Sequence, residues 1–247
     1  MIKDYNIYQY SKKEQAGYFL LGAVFGAITG YVFYDSIPGM VLLTSYAFAY
    51  LRMKRKELAQ KRKWQLNLEF RDGLLSLLAA LNAGYSVENA FAQAVADLKL
   101  MYSSDALIVR EFEGIVNQIN MNCTVEDALN DLASRSDVED IINFSEVFAT
   151  AKRTGGDIIK IIRNTCNIIS DKIEVKREII TLITGKKFEA DIMCLVPFFI
   201  ILYLRLFSGD FLKPLYHNIF GVLFMSFILI LYYALFRLTR KIIHIEV

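Results

Sequence analysis

Apolar residues follow two patterns along this chain. Near both ends they form unbroken runs, and in the middle they recur every three to four positions. Residues 16–34 carry no charge over 19 positions, close to the roughly 20 that a helix needs to cross a bilayer. Asp35-Ser36-Ile37-Pro38 then reads as a turn, with Pro38 suited to the first position of a following helix. Residues 36–51 add 16 uncharged positions before Arg52. The C-terminal end repeats the plan. Residues 192–204 are uncharged, and this span reaches Phe207 if Arg205 snorkels outward, with Pro197 as a point of kinking. Residues 214–236 follow with no formal charge. Two membrane hairpins are predicted, at 16–52 and 191–237.

Between them the pattern is helical. Leu66, Phe70, Leu74, Leu77, Leu78 and Leu81 form one stripe. Val87, Ala90, Phe91, Ala94, Val95 and Leu98 form another, at i, i+3, i+4, i+7, i+8 and i+11. No stretch alternates as a strand would, and residues 54–190 contain no proline. The expected fold class is therefore all-α: a multi-pass membrane protein with a bundle of about six helices between two transmembrane hairpins. The organisation reads as a tail (1–15), a hairpin (16–52), a helical domain (53–190), a second hairpin (191–237) and a short tail (238–247).

The breaks carry their own chemistry. Gly84 suits the left-handed residue that closes a helix, and Ser86 suits the N-cap of the next. Ser136-Asp137-Val138-Glu139 reads as a capping box opening a helix to about Thr154. Gly155-Gly156 ends that helix, and at least one of the pair is expected at positive φ. Asp157 then caps a long helix to about Thr184. The sequence also repeats itself. Asn82-Ala83-Gly84-Tyr85-Ser86-Val87-Glu88-Asn89-Ala90-Phe91 aligns with Asn120-Met121-Asn122-Cys123-Thr124-Val125-Glu126-Asp127-Ala128-Leu129 at an offset of 38. Each copy has a residue tolerant of positive φ, a hydroxyl cap and an acid, Glu88 or Glu126, at the positive end of the helix dipole.

Composition sharpens the picture. Hydrophobic residues make up 55% of the chain, more than a soluble domain normally carries, and the excess lies in the terminal runs. The net charge of +2 gives nucleic-acid binding no support. Lys and Arg cluster at 52–63, at 186–187 and after Phe236, whereas the turn at Asp35-Ser36 has none. The positive-inside rule then puts both termini and the domain in the cytoplasm. The run from Lys54 to Lys63, with Trp64, is expected at anionic lipid headgroups. A cleaved signal peptide does not fit residues 16–34, because no small-x-small site precedes Asp35.

Catalytic patterns are missing. The chain has no phosphate-binding GxxxxGK[ST] loop, no GxSxG and no HExxH. Cys123, Cys166 and Cys194 are far apart, and His217 and His244 have no partner at metal-ligand spacing. Asp137, Glu139 and Asp140 read as a solvated first-turn cluster. The spans carry no charge near their centres, where a transporter would need one. No enzyme activity, metal or cofactor is expected.

The order of these features resembles the type II secretion system F domain family. The resemblance rests on Leu77-Leu78-Ala79-Ala80-Leu81-Asn82-Ala83-Gly84-Tyr85-Ser86 with Ala90, and on Thr124-Val125-Glu126-Asp127-Ala128-Leu129. Leu132-Ala133-Ser134-Arg135 with Asp140, Ala151-Lys152-Arg153-Thr154-Gly155-Gly156-Asp157 and the closing residues from Arg240 to Val247 complete it. It covers about residues 60–247 and is closest to the TadB-like platform proteins of the tight-adherence pilus. Asn122, Cys123 and the short third span depart from the pattern. The resemblance implies a non-enzymatic platform in the bacterial cytoplasmic (inner) membrane that couples a cytoplasmic secretion ATPase to pilin extraction. It implies the ATPase, a TadC-like platform protein, pilin subunits and membrane lipid as partners, within a homo- or hetero-oligomer. The structural or partner-interface residues so singled out are Gly84, Ser86, Glu88, Thr124, Glu126, Arg135, Gly155 and Gly156. A membrane-anchored helical signalling or regulatory protein is the competing class. A neighbouring secretion ATPase gene would favour the platform.

Overall fold

A computed structural model describes residues 5–6, 10, 12–34, 43–44, 46–208, 216 and 218–243. These residues form eight α-helices and no strand: α1 (Lys12–Tyr34), α2 (Tyr46–Asn82), α3 (Val87–Met101), α4 (Leu107–Asn120), α5 (Val125–Ser136), α6 (Glu139–Thr154), α7 (Ile158–Phe207) and α8 (Ile219–Ile243). Among the described residues, three helices are long and apolar enough to cross a membrane: α1 over Lys13–Tyr34, α7, and α8 over Ile219–Thr239. The chain is an all-α membrane protein. The turn at Asp35-Ser36-Ile37-Pro38 and half of the second predicted span, residues 36–42 and 45, lie outside the described residues. Leu43 and Thr44 are helical.

The chain divides into two compact units. One, the helical module, joins residues 1–9 to 55–175; the other, the apolar unit, joins 10–54 to 176–247. The boundaries fall inside α2 and α7, because neither helix breaks where the sequence becomes charged. Residues 52–63 of α2 are strongly basic, but Lys and Arg are good helix formers. Lys61 also pairs with Glu57 one turn earlier at 3.0 Å. α7 does not end near Thr184; it continues through Gly185 and Pro197 to Phe207. Proline in a spanning helix is tolerated when its surroundings resatisfy the freed carbonyl.

Both predicted stripes form the module core. Leu66, Phe70, Leu74, Leu77 and Leu81 of α2 are buried against Ala90, Phe91, Ala94, Val95 and Leu98 of α3. Ile162, Cys166, Ile169 and Ile173 supply the face of α7. Phe112 of α4 is fully buried at the centre. Its ring lies 6.5 Å from Phe70 and 5.4 Å from Phe91, both edge-on, the arrangement favoured by ring quadrupoles. Gly73 makes room for it: a Cβ there would lie 2.7 Å from Phe112 Cζ.

In the apolar unit, large side chains such as Leu20, Phe25, Phe199, Tyr203, Phe220 and Phe227 are exposed, as lipid-facing residues would be. Val32, Phe33 and Met225 form its small buried core. A Cβ on Gly26 would lie 2.5 Å from the Leu43 carbonyl oxygen, so the glycine admits a close backbone approach. Arg205 turns back onto α1 instead of reaching outward. Its guanidinium lies 3.6 Å from the centre of the Tyr31 ring and donates to the Tyr31 carbonyl. The Tyr216 hydroxyl donates to the Val32 carbonyl at 2.8 Å. Carbonyls in the last turn of a helix have no partner within it. At membrane depth they need one, and these two side chains provide it.

Candidate functional site

The two repeat copies fold alike to the level of single hydrogen bonds. Gly84 has φ +91° and Asn122 has φ +64°. Around Gly84, the Gly84 amide donates to the Leu81 carbonyl at 3.0 Å and the Tyr85 amide to the Ala80 carbonyl at 3.3 Å. Around Asn122, the Asn122 amide donates to the Ile119 carbonyl at 2.9 Å and the Cys123 amide to the Gln118 carbonyl at 3.0 Å. This paired closure is the Schellman motif. Asn replaces Gly because its short polar side chain also tolerates the left-handed region. One residue further on, Ser86 and Thr124 cap the next helices, accepting from the Asn89 amide at 3.4 Å and the Asp127 amide at 3.1 Å.

A third turn follows the same plan. Gly155 has φ +72°, and the Gly156 amide donates to the Ala151 carbonyl at 2.7 Å. Asp157 caps α7, its carboxylate accepting from the Lys160 amide at 3.0 Å. Only Gly155 of the glycine pair is left-handed. Gly156 instead packs close to Ala151, whose Cβ would lie 3.3 Å from an added Cβ.

The third turn shares its end of the module with the other two. Because α2 to α7 run alternately up and down, the breaks after α2, α4 and α6 meet at one end. Lys152, in the last turn of α6, reaches both repeat copies there. Its ammonium lies 3.0 Å from Glu126 and 3.7 Å from Glu88. Gly84, Ser86, Glu88, Thr124, Glu126, Gly155 and Gly156 are thus gathered into one surface of three capping turns around one lysine. Beside it, between α6 and α7, is an open groove of about 440 Å³ lined by Glu146, Val147, Thr150, Ala151, Thr154, Gly156 and Ile161. Lys152 was not among the residues singled out from the sequence. Its only sequence signal was its place in the Ala151-Lys152-Arg153 stretch.

Arg135 does not belong to this surface. It ends α5 at the opposite end of the module, where it binds Glu111 twice, Nη1 at 3.2 Å and Nη2 at 2.8 Å. Its Nε donates to Asp131 at 2.8 Å. Burial pulls the guanidinium pKa down, but Glu111 and Asp131 outweigh this and hold it above its ordinary value. Tyr5 completes the cluster. Its ring lies under Arg62, 4.8 Å from ring centre to guanidinium, and its hydroxyl donates to Glu111 at 2.7 Å.

Three sequence readings change here. Ser136 does not open a capping box. It is the last residue of α5, with its hydroxyl donating to the Ala133 carbonyl at 3.2 Å. Asp137 closes α5 at φ +48°, and Val138 precedes α6 with no side-chain cap. The spelling S-x-x-E was present, but α5 extended into it. Asp140 is not a solvated first-turn acid. It is buried, accepting from Asn67 at 2.8 Å and from Lys172 at 2.5 Å. Part of the basic run also turns inward. Lys63 binds Asp137 at 2.8 Å, Arg62 stacks on Tyr5, and Trp64 packs against the core.

Among the described residues, no group of His, Cys, Asp and Glu is arranged to hold a metal ion. Neither the known protein families, nor the curated proteins, nor the solved structures contain a match to this chain.

Proposed function

We propose that the chain is an inner-membrane platform protein of a Tad-type pilus or type II secretion-like system. In this reading it performs no catalysis of its own and couples a cytoplasmic secretion ATPase to pilin extraction and assembly. The observation that carries the proposal is the gathering of the three capping turns around Lys152, since seven of the eight residues singled out through the family resemblance, all but Arg135, fall on that surface. Glu88 is half-exposed and Glu126 partly so, so both are within reach of a partner. One further feature supports the reading: the module's place in sequence between apolar helices.

The ATPase contact is assigned to this three-turn surface. The double variant Glu88→Lys, Glu126→Lys should lose co-purification with the secretion ATPase at least tenfold, with unchanged circular dichroism. It turns two attractions to Lys152 into repulsions. Lys152→Glu added to the double variant should restore the local pairing but not ATPase binding. Full ATPase retention in the double variant would move the contact elsewhere.

The orientation is part of the same proposal. A cysteine at Ser36 or Ser208 should react with an impermeant reagent from outside intact cells. A cysteine at Ser104, which is exposed on the module, should react only after permeabilisation. Labelling of Ser104→Cys in intact cells would overturn the cytoplasmic placement.

A further inference from the structure

Ahead of α1, the described residues Tyr5 and Asn6 both contact the module. Tyr5 is 3% exposed. Its hydroxyl donates to Glu111, its ring is covered by Arg62, and its amide donates to the Arg135 carbonyl at 3.1 Å. Asn6 is exposed, and its side-chain oxygen accepts from Lys63 at 2.6 Å. These partners come from three helices, Arg62 and Lys63 from α2, Glu111 from α4 and Arg135 from α5, and none is near Tyr5 in sequence.

Tyr5 belongs to the module's buried core, and what sets it apart there is how its polar partners are served. Glu111 is 5% exposed, so stripping it of every partner would be costly. It nevertheless keeps both Arg135 bonds when Tyr5 is withdrawn. Lys63 likewise keeps Asp137 when Asn6 leaves. Arg135 keeps Asp131 as well as Glu111. Withdrawing Tyr5 and Asn6 therefore breaks the bonds to Glu111 and Lys63, the backbone bond to Arg135 and the Arg62 stacking contact, but leaves no buried charge orphaned.

We infer that Tyr5 is a reversible latch, holding the N-terminal segment in a preformed Glu111–Arg135–Arg62 socket from which it can be released without unfolding the module. The occupant is this chain's own segment, which leads within a few residues into α1. The inference is independent of the platform reading and stands or falls on the module alone.

The test uses the full-length chain in lipid vesicles, with hydrogen exchange read by mass spectrometry over a peptide containing Tyr5 and over peptides from α3, α4 and α5. Tyr5→Phe removes only the bond to Glu111. It should speed exchange in the N-terminal peptide about tenfold or more, the usual worth of a hydrogen bond to a charged group. Tyr5→Ala should leave that peptide unprotected. In both variants the core peptides should keep their wild-type rates. Unchanged N-terminal exchange in Tyr5→Ala would show that the side chain holds nothing. Acceleration of the core peptides alongside the N-terminal one would make Tyr5 an ordinary core residue. Either result overturns the latch.

Discussion

Phe112→Ala is expected to raise the labelling rate of the Cys166 thiol by roughly two to four orders of magnitude, the equivalent of about 3–5 kcal/mol. Cys166 is a built-in reporter of module opening. It is 3% exposed on the core face of α7, and burial pushes its pKa up to about 11, so it reacts chiefly when the module opens. Cys123→Ser and Cys194→Ser remove the other thiols. The effect is large because Phe112 sits between Phe70 and Phe91, in contact range of Gly73. A void there cannot be filled without moving three helices. The reciprocal change tests the same geometry. Gly73→Ala gains up to about 1 kcal/mol of helix propensity, yet should destabilise the module by about 1–2 kcal/mol net, because its methyl meets the Phe112 ring. In a Phe112→Leu background that penalty should vanish. Less than a tenfold change in labelling for Phe112→Ala, or a stabilising Gly73→Ala in the wild-type background, would mean that the ring is not packed there.

Arg135→Ala is expected to cost about 3 kcal/mol, again read at Cys166, because it leaves the Glu111 carboxylate buried with the Tyr5 hydroxyl as its remaining neutral donor. The asymmetry is the diagnostic part. Glu111→Gln combined with Arg135→Ala removes the buried charge as well, and should recover most of the loss. Arg135→Lys should recover little, since a point charge cannot make both bonds to Glu111 and a third to Asp131. If the double variant is no better than Arg135→Ala, the loss comes from packing along the arginine stem and not from an unpaired carboxylate. Exposed pairs provide the contrast: Lys186→Ala, which breaks the pair with Glu189 at the surface, should change stability by less than about 1 kcal/mol.

Much of this protein was set by interactions between residues at most a few turns apart, and those were legible. The stripes on α2 and α3 follow from the 3.6-residue period. The three spans on α1, α7 and α8 follow from unbroken apolar length. The left-handed residues Gly84, Asn122 and Gly155 follow from which side chains tolerate positive φ. Ser86, Thr124 and Asp157 cap the amide three residues on, so even the matched geometry of the two repeat copies could be read from their spelling.

The tertiary structure decided whatever depended on residues distant in sequence. Nothing local marks Lys152 as the partner of Glu126, 26 positions away, or of Glu88, 64 away. Nothing local sends Tyr5 to Glu111, buries Asp140 against Asn67 and Lys172, or turns Arg62 and Lys63 inward. Ser136 shows the limit most directly. The residues of a capping box were present, but whether its hydroxyl opens one helix or closes another depends on where α5 stops. Packing of Leu129, Leu132 and Ala133 into the core sets that end. A charged side chain's partner is chosen by which helix ends the fold brings together, and that is fixed only once the apolar stripes have been buried.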